Sequence, residues 1–456
     1  MKFVLENIGS LDRAEIELGD ITVVCGENNT GKTYAAYSLY GFLKKARELS
    51  FPFEIDGPLF EKLLETGKLA MPYDLGKIVP MLSRFFSDAG RDYSAELTDL
   101  LSSDAGRFSN SRLSVELGED DFSPGRRIGS SIHFNADLCV VLQVSVRGGV
   151  INVQLRDSHS KGEEKSEKKK KIFRGTRDEL LRWVGSSITS VLLKALCPNV
   201  FIASSMCGGL AVFYEGQAGG TDEAFGAPGA AGCSLPMRHS LESLIRFTRA
   251  RTVNLGPVAN EHPEILRDFE AILGGEYVMD DAGVVEGVRF KPDGSESSFS
   301  LVESSSSVRS LLMIGLYLKY RANYGNVLMI DEPESSLHPE NQRRMARLFV
   351  RLANAGVKVF ITTHSDYILK ELEALLLLNR DKPHLRLIRE RLGYGRAQLL
   401  KESQLRVYMA ELCGDRRCAL TRAEVSQERG VNVPSFDRTI DDMNSLFDEI
   451  SWSGEL

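Results

Sequence analysis

Apolar and polar positions alternate from the first residues of the chain. Met1 to Leu18 (MKFVLENIGSLDRAEIEL) keeps a period of two on either side of a Gly-Ser pair, which predicts two strands. Ile21 to Cys25 (ITVVC) is an unbroken β-branched run, the pattern of a strand buried on both faces. Tyr34 to Lys45 reads as a helix whose larger apolar residues include Tyr37, Leu39, Tyr40 and Leu43. A comparable block lies far along the chain. Leu311 to Arg321 reads as a helix, Val327 to Ile330 as a buried strand, Pro339 to Ala355 as a helix closed by Gly356, and Val357 to Thr362 as another strand. Between the blocks the pattern predicts helical pieces at Leu59–Leu69 and Ile78–Phe86, a strand-rich stretch from Leu113 to Leu155, and helices at Arg177–Leu196 and Leu241–Arg251. Beyond Leu378 it predicts a hairpin from His384–Ile388 and Gly395–Leu400, a loop at Val425–Val433 and an amphipathic helix at Phe436–Ile450.

Composition narrows the class. The 456 residues allow two or three domains at about 150 residues each. The 43% hydrophobic and 26% charged fractions are those of a globular chain. A net charge of −7 gives no global basic field for nucleic acid, although a local patch stays open. No apolar run reaches the roughly 20 residues that cross a bilayer, so no membrane partner is expected. The N-terminus lacks the apolar core of a secretory signal, and the seven cysteines are scattered. Reduced thiols in a cytoplasmic protein are the expectation. Lys161 to Lys171 (KGEEKSEKKKK) reads as a solvated tip or a nucleic-acid contact, and Cys207 to Pro236 as a long Gly/Ala-rich loop, a lid or a link.

The candidate chemistry sits where strands end. Gly26, Glu27, Asn28, Asn29, Thr30, Gly31, Lys32 and Thr33 (GENNTGKT) fill the pattern G-x-x-x-x-G-K-S/T between a predicted strand and a predicted helix. That context turns backbone N–H groups and the positive end of a helix toward phosphates. Lys32 is placed to reach β- and γ-phosphates, and the Thr33 hydroxyl to hold Mg²⁺. The VLMI strand runs into Asp331-Glu332-Pro333-Glu334. There Asp331 is a candidate Mg²⁺ ligand through water, and Glu332 a candidate base for the attacking water. The next strand delivers Thr363-His364-Ser365, which puts an imidazole at the C-terminal strand edge where ligands bind in open α/β sheets. Glu303 to Leu311 (ESSSSVRSL) leads into a helix, and serines at such a start cap free N–H groups.

Two segments, ENIGSLDRAEIELGDITVVCGENNTGKT and SSSSVRSLLMIGLYLKYRANYGNVLMIDEPESSLHPENQRRMARLFVRLANAGVKVFITTHSDYIL, resemble the ABC-type ATPases of the RecF, structural-maintenance-of-chromosomes and OLD (overcoming-lysogenisation-defect) group. They span about Met1–Lys45 and Ser300–Leu375, about a quarter of the chain. The resemblance implies an α/β fold: an ABC-type P-loop ATPase head with a large mixed α/β insertion and a short α+β C-terminal region. It implies ATP at Gly26–Thr33, Mg²⁺ at Thr33 and Asp331, Glu332 as catalytic carboxylate and His364 as switch residue. Ser304 to Arg309 (SSSSVR) stands in place of LSGGER, with Ser305 as the signature serine that meets ATP bound to a second copy. Both signature glycines are serines here. A Q-loop glutamine is not assigned, Gln143 and Gln154 being candidates only by lying in the insertion.

The 298 positions between Thr33 and Asp331 carry no sustained heptads, unlike the coiled-coil insertions of chromosome-organising relatives. A globular insertion resembles the OLD-like defence ATPases. The expected domains are 1–45 and 300–380 for the ATPase lobes, 46–299 for an inserted arm, lid or partner surface, and 381–456 for the C-terminal region. The tail shows no DxD after a strand, so a Toprim nuclease is not expected in this chain. The resemblance then points to a homodimer or higher homo-oligomer acting as sensor or scaffold for a separately encoded effector, a nuclease or toxin, with a phage protein as trigger. The ATPase subunits of the PARIS and Septu anti-phage systems are the nearest kind. The alternative is a RecF-like repair ATPase that binds DNA.

Overall fold

The structure is a computed structural model. It describes the chain apart from residues 50–52, 54, 73–74, 105, 119–127, 134–139, 148–149, 158–176, 206–208, 210–232, 250–253, 280–286, 414–416 and 453–456. The Lys161–Lys171 charge run, Arg251 and most of the Cys207–Pro236 segment therefore lie outside the described residues. Two compact units emerge. The first comprises Met1, Phe42–Arg91 and Ser114–Asn199, and the second Lys2–Gly41, Asp92–Leu113 and Val200–Leu456. Residues 200–299, placed by sequence in the insertion, thus share a unit with the glycine loop.

The second unit is mixed α/β around one large sheet. Within this unit its strands run in the order Lys2–Ile8, Leu11–Glu17, Arg417–Arg422, Leu405–Cys413, Ile21–Gly26, Lys358–Thr363, Val327–Asp331, Val200–Ala203. The last five run parallel, with Val23 opposite both Ile361 and Val407, Asp331 opposite Thr362, and Ile330 opposite Ala203. Parallel registry brings Gly26, Asp331 and Thr363 out at one edge of the sheet. The continuous apolar runs follow from burial on both faces: every residue of Ile21–Gly26 and of Val327–Asp331 is buried. Helix Ser306–Tyr320 is buried without interruption from Leu311 to Leu318, as a helix apolar all round must be. It shares one core with Phe269 and Ile272 of Pro263–Leu273, Leu348 and Phe349 of Pro339–Asn354, and Leu372 and Leu376 of Asp366–Leu377.

The first unit carries a separate antiparallel sheet in the order Lys68–Pro72, Val150–Asp157, Val140–Arg147, Ile128–His133. Gln143 and Gln154, the Q-loop candidates, are cross-strand partners in it. The strand-rich stretch is as expected, but the helical pieces differ. Helix Gly57–Thr66 stops at Gly67, whose φ of 67° is a left-handed C-cap, and Lys68 already begins a strand. The expected Ile78–Phe86 helix is Leu75–Leu100, carried on by a buried stripe through Leu82, Phe86, Tyr93, Leu97 and Leu100.

The tail departs most. His384–Ile388 and Gly395–Leu400 form no hairpin. Pro383 at the first turn and Gly393 at φ 72° bracket a helix, Pro383–Leu392, and Arg396–Gln398 is a single 3₁₀ turn. The true hairpin, Leu405–Cys413 with Arg417–Arg422, lies inside the main sheet beside the glycine-loop strand. The expected Val425–Val433 loop contains a two-residue strand pair, Val425–Ser426 with Gly430–Val431, before helix Pro434–Trp452.

Gly26 joins this late strand to the loop. It holds φ at 140°, and a Cβ added there would run into the Ala410 carbonyl oxygen. Gly26→Ala is therefore expected to lose about 2 kcal/mol of stability from backbone strain and displacement of the Leu405–Cys413 strand. Denaturant unfolding checks this; a midpoint equal to wild type would refute the packing argument.

Candidate active site

The glycine loop closes on itself. The Thr30 hydroxyl donates to the Glu27 carbonyl at 2.7 Å and the Lys32 ammonium to the same oxygen at 2.5 Å. Asn29, at φ 63°, and Gly31, at φ 87°, supply the left-handed turns of the loop. Glu27, Asn28 and Asn29 are exposed, whereas Lys32 is only 5% exposed. Burial lowers the Lys32 pKa, against the pull of Glu332 and Asp331. The N–H groups of the loop and of the first turn of helix Lys32–Ala46 are the kind of donors an anionic phosphate needs.

Asp331, 4% exposed, receives four hydroxyls. Its Oδ1 accepts from Thr362 at 2.5 Å and Thr33 at 3.4 Å, and its Oδ2 from Tyr37 at 3.2 Å and Ser205 at 3.4 Å. Burial is the main cause of its raised pKa. Two adjacent hard oxygen donors, Thr33 Oγ1 and Asp331 Oδ1, suit Mg²⁺, which takes one or two protein oxygens and completes its shell with water and phosphate. Among the described residues no cluster of three or more His, Cys, Asp or Glu forms a closed protein cage.

Glu332 turns out of the strand at φ 55°, an uncommon value for a residue with a side chain. Its N–H donates to the Thr362 carbonyl at 3.1 Å, and its side chain remains 36% exposed. A half-exposed carboxylate one residue past a buried one can accept a proton from water. The Nε2 of His364 lies 3.4 Å from Glu332 Oε1. The His364 backbone N–H donates to Glu334 Oε1 at 2.6 Å, and Ser365 Oγ donates to Gln342 Oε1 at 2.5 Å. Burial, then the Lys32 charge, lower the His364 pKa; Glu332 opposes them. Glu334 is pushed up by burial.

Gly26 to Thr33, Asp331, Glu332 and His364 are thus brought together within the second unit. Ser305 is not. It is exposed and N-caps helix Ser306–Tyr320, accepting from the Val308 N–H at 3.4 Å and pairing with Ser307 Oγ at 2.8 Å. The helix begins five residues before the expected Leu311, so Ser306 and Ser307 belong to its first turn. Ser310 links it to the next motif by donating to the Ser335 carbonyl at 3.3 Å. Sequence reasoning missed Tyr37, Ser205, Thr362 and Glu334. Thr362 and Glu334 sat beside recognised motif residues, and Tyr37 read only as an apolar helix position. Ser205 follows a short edge strand that nothing in its surroundings singled out.

The AAA ATPase domain family matches residues 249–369, which hold the acidic strand and His364. Comparison with curated proteins found no match. Among solved structures, the chain is similar to an SMC head bound to the C-winged helix domain of ScpA (11% identity, TM-score 0.33, covering 92% of this chain and 96% of that one). It is similar to the SMC head domain from Thermotoga maritima (12%, 0.31, 93% and 98%). A third neighbour is the Smc head domain with an extended coiled coil bound to the C-terminal domain of ScpA, derived from Pyrococcus furiosus (11%, 0.32, 99% and 98%). No described helix is long and apolar enough to cross a membrane.

The lowered His364 pKa has a definite sign in stability. Unfolded, the imidazole titrates at 6.5; folded, it titrates lower. As pH falls through 6.5 toward the folded value, the unfolded state binds the proton that the folded state resists. Wild type is therefore expected to lose stability relative to His364→Gln across that window, and the difference should become constant above pH 7.5, about one unit clear of the unfolded pKa. Thermal melts of both proteins at several pH values decide it, and parallel curves would show that His364 titrates normally.

Proposed function

We propose that this chain is an ABC-type ATPase that binds and hydrolyses ATP, pairs through ATP with a second copy, and serves as sensor and scaffold for a separately encoded effector. The observation that carries the catalytic part is the convergence of three strand ends. It sets Thr33 3.4 Å from Asp331, and Glu332 3.4 Å from His364. In this reading the N–H groups of Gly26 to Thr33 enclose the phosphates. Lys32 exchanges the Glu27 carbonyl for β- and γ-phosphate oxygens. Thr33 and Asp331 would hold Mg²⁺, which neutralises phosphate charge when bound. Glu332 orients the attacking water and takes its proton, and His364 presents its imidazole at the γ-phosphate side.

The exposed Ser305 and the helix start it caps are the surface offered to ATP on a second copy. The resemblance of the two sequence blocks to OLD- and RecF-like ATPases supports a role in bacterial anti-phage defence. There a phage protein is the trigger and a nuclease or toxin the effector.

Glu332→Gln keeps the shape of the site and removes the base, so hydrolysis should fall at least about 100-fold and ATP-bound assemblies should accumulate. Lys32→Ala should fail to assemble with ATP. Light scattering with and without ATP reads both, and unchanged assembly in both variants would refute the model.

A further inference from the structure

The acceptor capacity of Asp331 is filled in an ordered way. A carboxylate offers about four lone-pair sites, and four hydroxyls from separate positions occupy them. Thr33 and Tyr37 lie one turn apart on helix Lys32–Ala46 and approach different oxygens, at 3.4 Å on Oδ1 and 3.2 Å on Oδ2. Thr362 comes from the neighbouring strand to Oδ1. Ser205 follows the edge strand Val200–Ala203 and reaches Oδ2 at 3.4 Å. A buried carboxylate left to itself can rotate or take a proton. Paired with a cation, it would spend its field on that cation. Neutral hydroxyls do neither: they fix direction and leave the negative charge uncompensated for an incoming ion. Tyr37 and Ser205 converge on the oxygen that Thr33 does not engage.

We propose that Tyr37 and Ser205 are positioning residues that clamp Asp331 Oδ2, so that Oδ1 is held facing Thr33 ready for the nucleotide's magnesium. The inference rests on the ATPase reading above and adds to it two residues outside its motifs. Tyr37 is buried, so Tyr37→Phe removes the hydroxyl that donates to Oδ2 and keeps the packed ring. Removing a hydrogen-bond partner of a metal ligand weakens metal binding by about 10- to 100-fold.

The test is equilibrium binding of a fluorescent methylanthraniloyl-ATP to the full chain, titrated with MgCl₂ and repeated in EDTA. For Tyr37→Phe and for Ser205→Ala, the MgCl₂ concentration at half-maximal enhancement of binding should rise about 10-fold. Affinity in EDTA should stay within about twofold of wild type, since the clamp acts through the metal ligand alone. Ser205→Thr, which restores a hydroxyl, should return the midpoint toward wild type. An unmoved midpoint in both hydroxyl-deletion variants overturns the inference. So does an equal loss of affinity in EDTA and in MgCl₂, because that marks general loosening of the site. Wild-type protein that fails to bind the analogue under either condition overturns the nucleotide reading itself, and the inference with it.

Discussion

One buried carboxylate organises this molecule. Taking Asp331 out of water costs several kcal/mol unless polar groups replace the lost hydration. Here the replacement comes from the P-loop helix, the neighbouring strand and the edge strand, each of which must stand in register for its hydroxyl to arrive. The parallel registry of Val327–Asp331 with both neighbours is what places Thr362 and Ser205 at the right height. The sheet edge and the site are therefore one structural solution.

Around that carboxylate the charges are held in mutual tension. Lys32 is buried and its pKa depressed, while Glu334 is half-buried and burial raises its pKa. In both cases burial is the larger cause, so each protonation balance leans toward the neutral form. The strained turn at Glu332 belongs to the same economy. Its φ of 55° is held by hydrogen bonds from its own N–H to the backbone and side chain of Thr362, and Ser335 closes the turn back onto the Glu332 carbonyl at 3.1 Å. Strain at a residue with an exposed side chain aims that side chain outward, where a water can reach it.

Much of this was legible in the sequence because the strands of the site are short, β-branched and flanked by residues with special backbone roles. Ile21–Cys25 before GENNTGKT and VLMI before DEPE announce themselves by composition alone. The tail was misread because HLRLI alternates like a strand, yet Pro383 and Gly393 bracket it as a helix, and the stop signals outweigh the alternation. The strand Leu405–Cys413 was overlooked because its neighbour in space, Ile21–Gly26, is nearly 400 positions away, and no local pattern encodes such a pairing. Tyr37 and Ser205 were invisible for a related reason. A tyrosine on an apolar helix face and a serine after a strand acquire meaning only from the carboxylate that folding brings to them.

That long-range pairing sets how the site comes into being. The glycine-loop strand is bonded on one side to Lys358–Thr363 and on the other to Leu405–Cys413, so its hydrogen bonds wait on the closure of loops more than 300 residues long. Contacts of such sequence separation form late and slowly, because the chain entropy must be spent before they repay it. GENNTGKT is thus a local motif whose preceding strand is flanked on both sides only when the far end of the chain has joined the sheet. A ligand that binds the folded loop binds the folded unit alone. Its binding energy consequently adds to the stability of the whole sheet, tail hairpin included.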